Sequence, residues 1–303
     1  MKTLKKLLTI GALTLASILP AKDIYVEKTG GDYSEIQEAV YFAQPNDKII
    51  VGEGVFRENV ELKKDCPLDI IGQGVDKTTV KGFDRNSRGT ATFMMDGATS
   101  INLENMLITN SYYGIRIENS SRISIKNNLV IGNGDTNLQL LWSSNCSIDG
   151  NTFDGDSLFG NTDYGLYYIG GKNKIINNIV VNQQRQGIYS PQDGNEVLIS
   201  FNNVWNNLMG NIDIRNSTTT LVSNISKDPL FRNRLSADYE LINNPSSTQT
   251  LSEAEYQVSP CIDSGTKDGI NPDNITDMGA WNIYGNVERE PTRTSARWWQ
   301  GYE

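Results

Sequence analysis

Histidine is absent from all 303 residues. That removes Ser-His-Asp and Cys-His catalysis, histidine-ligated zinc and any imidazole general base. Cysteine is scarce. Cys66, Cys146 and Cys261 lie far apart, so the chain can close one disulfide at most and is no disulfide scaffold. Cys146 falls in a strand-like stretch and reads as a packed core thiol. Basic charge is in deficit, 27 Lys and Arg against 36 Asp and Glu, which argues against a nucleic-acid partner. No apolar run reaches membrane length; Leu7 to Leu19 is too short and too weakly apolar to span. Behind Lys2, Lys5 and Lys6, and with Ala21 as a cleavage position, residues 1–21 read as a secretory signal peptide. Its removal takes three of the 27 basic residues, leaving 24 against 36 acidic and a net charge of −12. Residues 22–303 are then one exported domain, secreted or periplasmic, and expected to be a monomer.

What the chain has in quantity is repetition. Between Ile101 and Trp205 five units carry an Asn that aligns at residues 105, 128, 151, 178 and 203. Spacings of 23, 23, 27 and 25 residues mark a solenoid. Within a unit, Ile115 and Ile117 alternate with Arg116 and Glu118, and Ile123 and Ile125 with Ser124 and Lys126. Alternation of period two is a half-buried strand, and no i, i+3, i+4 helix spacing competes. Coils of three short strands, stacked in parallel about 4.8 Å apart, make a parallel β-helix. The recurring Asn suits a left-handed turn and can hydrogen-bond to its copies along the stack. Ser34 to Ala43 reads as a short helix, with Ser34 and Gln37 at capping-box spacing and Pro45 after its end. It would cap the first coil, whose strands are Lys48-Ile-Ile-Val, Asn59-Val-Glu-Leu and Leu68-Asp-Ile-Ile-Gly. From residue 225 the period is lost, and an irregular C-terminal cap is expected along the stack. Trp298 and Trp299 could pack on it or form an exposed patch. The expected fold is all-β, a right-handed parallel β-helix of about eight to nine coils.

The runs Gly31-Asp-Tyr-Ser-Glu-Ile-Gln-Glu-Ala-Val, Asp47-Lys-Ile-Ile-Val-Gly-Glu-Gly-Val-Phe-Arg-Glu-Asn-Val and Ile70-Ile-Gly-Gln-Gly resemble the opening of pectin methylesterases. They are also similar to secreted proteins of the pectate-lyase-like superfamily. Asp228-Pro-Leu-Phe, Ser259-Pro-Cys-Ile-Asp-Ser-Gly and Asp277-Met-Gly-Ala-Trp resemble the closing segment of bacterial right-handed β-helix proteins. The resemblance implies the fold and, more weakly, an activity on polysaccharides. The paired aspartates, Gln and Arg of pectin methylesterases have no counterpart; Gly54-Val-Phe-Arg-Glu58 looks like a shared structural turn. Polygalacturonases and mannuronan epimerases need a histidine. Pectate and alginate lyases, which use Arg or Lys as base and often calcium, remain open.

Aligning the strands that open each coil points Ile115, Leu138, Leu166, Ile188 and Ile212 inward. The next residues form an outward column: Arg116, Gln139, Tyr167, Tyr189 and Asp213. Tyr113, Tyr164 and Gln186 lie earlier on the same face. Aromatic faces take the apolar side of a pyranose, while amides and charges read hydroxyls and carboxylates; tyrosine ladders also simply favour strand pairing. The favoured activity is a lyase on an acidic, uronate-containing polysaccharide. Arg116 or Arg185 would neutralise the carboxylate, and Tyr167 or Tyr189 would serve as base or acid, with Lys172 and Lys174 as alternative bases near this face. The substrate-binding set is Tyr113, Gln139, Tyr164 and Asp213. An acidic insertion offers Asp154, Asp156 and Asp163 as calcium ligands, although turn-forming aspartates are commoner. The alternatives are a non-catalytic carbohydrate-binding or cell-surface protein, and a hydrolase using paired aspartates.

Overall fold

The computed structural model describes residues 20–62, 67–155, 162–192, 196–215, 218–234, 238–242, 259–262, 264–266 and 275–279. The signal-peptide segment up to residue 19, Cys66, Asp156, Trp298 and Trp299 lie outside the described residues. Three parallel sheets form a right-handed β-helix of about eight turns. Sheet 1 has nine strands, from Asp23–Val26 through Ser124–Lys126 to Thr220–Val222. Sheet 2 has seven, from Gly54–Arg57 to Asn203–Trp205, and sheet 3 has seven, from Val60–Leu62 to Gly210–Ile214. Gly54–Arg57, expected as a turn element, is thus the first strand of sheet 2, and the first coil closes at Leu62.

The inward residues stack as the alternation requires. Ile115, Leu138, Leu166, Ile188 and Ile212 are successive register partners, and the first four are fully buried. Each such side chain contributes about 1.5–3 kcal/mol on burial. Asparagine does two jobs at the corner between sheets 1 and 2. Asn105, Asn127 and Asn177 hold left-handed backbone, with φ of 61°, 53° and 58°. The residues that follow form a ladder. Asn128, Asn151, Asn178, Asn202 and Asn224 each accept the backbone N–H and side-chain amide of the asparagine one turn earlier where there is one. Asn105 and Asn203 therefore stand off this ladder, whose first position is Met106 and whose fifth is Asn202.

The capping helix is Ile36–Phe42, and it buries Ile36, Ala39 and Val40 against the first coil. The capping box does not form. Glu58, arriving from the first coil, accepts the N–H groups of Ile36 and Gln37 at 2.9 Å each. A carboxylate at a helix start satisfies free donors and opposes the helix dipole.

Sheet 2 departs from alternation. Leu129–Ile131, Thr152–Asp154 and Ile179–Val181 are buried at every residue. Their outer face is covered by the chain beyond Ile225. Tyr239 packs with Leu129 and Ile131, while Leu241, Cys261 and Met278 pack with Ile179, Val181 and Phe201. Cys146 and Cys261 are buried free thiols, so the considered disulfide does not join them. Burial pushes Cys146 up to about 11 and Cys261 up to about 12. Among the described residues no helix is long and apolar enough to cross a membrane.

Candidate functional site

With sheet 2 covered, sheet 3 presents the aromatic outer face. Its register places Glu61, Met94, Arg116, Gln139, Tyr167, Tyr189 and Asp213 on successive turns in one column. The alternation that buries Ile115 and its copies turns these residues outward. Tyr113, Thr136 and Tyr164 form a second column beside it. Gly114 precedes the inward position, and a Cβ there would come 2.6 Å from the Asn137 carbonyl oxygen. Glycine is required by that close approach.

The side chains interlock. Tyr164 stacks on Tyr189 at 5.3 Å and 13°, and Tyr167 meets each of them edge-on at 5.6 Å. The Arg116 guanidinium lies 5.2 Å from the Tyr113 ring centre and pairs with Glu118 at 2.8 Å. Burial raises the Tyr113 phenol, and the neighbouring Gln139 side chain acts against the rise. Gln186 donates to Asp213 at 3.3 Å. Two buried polar atoms here have no partner among the described residues, Nε of Arg116 and Oε1 of Gln139. They belong to register neighbours on adjacent turns.

Arg185 stands at the edge of the face, donates to the Tyr164 hydroxyl at 3.1 Å and pairs with Asp163 at 3.3 Å. One residue before each strand runs a further stack. Tyr164 N–H donates to the Asp135 carbonyl, and Arg185 N–H to that of Asp163. Asp135, missed from the sequence, thus lies one turn from Asp163, and it accepts from the Tyr112 hydroxyl at 3.1 Å and from Thr136 at 2.7 Å. Shifting the column alignment back to residues 112, 135, 163 and 185 would have found it. Burial raises the Asp163 carboxyl, with Arg185 opposing and Asp135 adding to the rise. Burial, then Tyr189, Tyr164 and Asp135, raise the Tyr167 phenol. Such a phenol holds its proton and suits an acid better than a base.

Three expected placements change. Lys172 and Lys174 lie on Lys172–Ile176 of sheet 1, not beside the tyrosines, and Lys172 pairs with Glu196 at 3.2 Å. The outward residues of that strand face a different side of the solenoid. Asp154 is fully buried in sheet 2, accepts from Tyr239 at 2.8 Å and Asn182 at 3.1 Å, and pairs with Arg234 at 3.3 Å. It anchors the C-terminal segment. Asp163 is engaged by Arg185 instead, and Asp156 is not among the described residues.

A probable pectinesterase/pectinesterase inhibitor of Arabidopsis thaliana is 34% identical over 120 residues, covering 34% of this chain and 22% of that protein. The chain therefore spans about a fifth of the curated relative it matches. The ORF18 protein of Geobacillus virus E2 superposes with a TM-score of 0.50 at 12% identity, covering 67% of this chain and 48% of the other. That is a likeness of fold alone. An alginate lyase from Paenibacillus sp. gives a TM-score of 0.46 at 14% identity, covering 68% and 87%. Residues 43–262 match the profile of the family described as periplasmic copper-binding protein (NosD). The residues present do not fit a copper site. Histidine is absent, both described thiols are buried and held protonated, and no group of three His, Cys, Asp or Glu side chains converges among the described residues. The match covers well over half of the sequence, and the chain belongs to the NosD family.

Proposed function

We propose that this is an exported, carbohydrate-active protein that binds an extended polysaccharide on the outer face of sheet 3. One observation carries the reading: Arg116 Nε and Gln139 Oε1 are an unpartnered donor and acceptor on adjacent turns of a tyrosine-lined face. An unmet buried polar atom costs about 1–3 kcal/mol. A sugar hydroxyl is both acceptor and donor, so it can satisfy the two together. The rings of Tyr164, Tyr167 and Tyr189 offer stacking surface for the C–H side of a pyranose. Charge favours recognition through hydroxyls. Arg116 is tied to Glu118 and Arg185 to Asp163, while Asp135 and Asp213 add negative charge. An acidic polysaccharide would displace Glu118 or Asp163, or bring calcium to bridge. The family description as periplasmic and the leader-like residues 1–21 support export.

A lyase on the same face is the second reading, favoured by Arg116 and two tyrosines on neighbouring turns. Arg116 would neutralise a uronate carboxylate and so acidify the C5 proton. Tyr189 would take that proton as base, and Tyr167 would protonate the leaving glycosidic oxygen, giving an unsaturated uronate. The raised Tyr167 fits the acid role.

The test is calorimetric titration with pectate, alginate, glycosaminoglycans and neutral glucans and xylans, with calcium and with chelator. Ultraviolet absorbance follows unsaturated products. Binding that weakens at least tenfold in Gln139→Ala, with an unchanged far-ultraviolet spectrum, supports the binding face. Failure to bind every polymer sinks it. Product formation lost in Arg116→Ala or Tyr167→Phe moves the assignment to the lyase; retained binding without products excludes it.

A further inference from the structure

The turn that leaves sheet 3 holds a left-handed residue on four successive rungs. Gly97, Asn119, Trp142 and Gly170 stack there, with φ of 67°, 49°, 46° and 76°. The stacking is fixed by Gly97 N–H to Glu118, Asn119 N–H to Leu141 and Trp142 N–H to Ile169. Glycine and asparagine are the residues that accept this backbone; a bulky side chain is strained in it. Phe201 is the comparable case at another corner, with φ 54°, and its ring is buried with Leu241, Cys261 and Met278. The strain at Phe201 is offset by burial. Trp142 has the same strain and remains 56% exposed. Its indole is nonetheless placed. Gly170 sits beneath it, and a Cβ on Gly170 would come 3.3 Å from both Cα and Cδ1 of Trp142.

We propose that Trp142 is a sugar-stacking platform that extends the sheet 3 site around the corner of the solenoid, a proposal that rests on the saccharide reading of that face. A held, exposed indole is suited to the apolar face of a pyranose. Strained backbone without a burial gain is retained where the surroundings use it. Trp142 lies three residues beyond Gln139 and one past the end of the strand Thr136–Leu141, at most about 10 Å along the chain at 3.3 Å per residue. One sugar ring cannot touch both, whereas an oligosaccharide can, and the ligand would cross the coil at that point.

The test uses disaccharides and hexasaccharides of the cello-, manno- and galacturono- series with wild type, Trp142→Asn, Trp142→Phe and Gln139→Ala. Trp142→Asn installs the residue that the preceding turn carries. It is expected to melt no lower than wild type, to bind the hexasaccharide at least tenfold more weakly, and to leave disaccharide affinity unchanged. Trp142→Phe should recover most of the hexasaccharide affinity. Saturating hexasaccharide should shift the tryptophan emission of wild type, and Trp142→Phe should lose that shift. Unchanged hexasaccharide affinity in Trp142→Asn, with binding lost in Gln139→Ala, overturns the platform and leaves the saccharide face standing. A sharp fall in melting temperature in Trp142→Asn makes the indole structural and also overturns it. No binding of any oligosaccharide to wild type sinks both.

Discussion

Asn178 shows how much one amide holds in this fold. Its Nδ2 donates to the Ile148 carbonyl and to Asn202, and its Oδ1 accepts from the N–H and the side chain of Asn151. All of these groups are buried, and the amide leaves none of its neighbours unmet. Asn178→Ala should cost about 3 kcal/mol or more, read as a shift in the urea midpoint. Asn119→Ala, at an exposed edge, serves as the control for a lost left-handed residue and should cost about 1 kcal/mol. The ladder was visible in the sequence as a period, but its register was not. In Asn127-Asn128, Asn177-Asn178 and Asn202-Asn203 two asparagines stand side by side. In the first two pairs the leading Asn is the left-handed turn and the second is the ladder, whereas in Asn202-Asn203 the leading Asn is the ladder, and spacing cannot tell these apart. At Asn105-Met106 only the turn residue is Asn, and at Phe201-Asn202 only the ladder residue is. The outward column was legible because inward aliphatics fix the phase of each strand. Trp142 was not, because nothing in a sequence reports that its φ is positive.

At the scale of elements, the C-terminal segment is the part that local pattern could not place. The apolar triplets Leu129-Val130-Ile131 and Ile179-Val180-Val181 already announce strands covered on both sides. The residues that cover them, Tyr239, Leu241, Cys261 and Met278, follow no period and lie far along the chain, so only tertiary packing reveals them. Tyr239→Phe tests the attachment. It removes the donor to the buried Asp154 carboxylate while keeping the ring against Leu129 and Ile131. A loss of about 1–3 kcal/mol is expected, with proteolysis of the C-terminal segment preceding global unfolding. The N-terminal helix was legible in its apolar spacing, but its cap was not, because Glu58 reaches it from 22 residues away. Glu58→Ala should cost about 1–2 kcal/mol, whereas Ser34→Ala should be neutral in the same melt.

Across the whole molecule, the missing imidazoles shape the response to pH. Burial raises the carboxyls of Glu104, Asp149 and Asp163, so the native state holds their protons more tightly than the unfolded chain does. Their favourable contribution is full below the unfolded value near 4 and is lost as pH rises through the folded values. Asp149→Asn, whose side chain can still accept from Asn177, should therefore stabilise at neutral pH, and the gain should vanish below about pH 4. The raised thiols act at the other end. Stability falls as pH climbs from about 9, where a free thiol ionises, toward the folded values of about 11 for Cys146 and about 12 for Cys261. Between about pH 6.5 and 8.5 the melting temperature should be flat, since no ordinary side-chain group titrates there without histidine. Scanning calorimetry across buffers checks all three, and a slope in that window would contradict the assignment.

The segment that walls off sheet 2 also changes how the molecule would bear force. Hydrogen bonds between rungs run along the axis, so tension on a bare stack peels one coil at a time. Here a stretch of covalent chain reaches Leu129, Asp154, Val181 and Phe201, on four successive turns. Pulled lengthwise, these coils are bound into one unit by a tie-rod, and they should part together at a higher force than the turns nearer the capping helix.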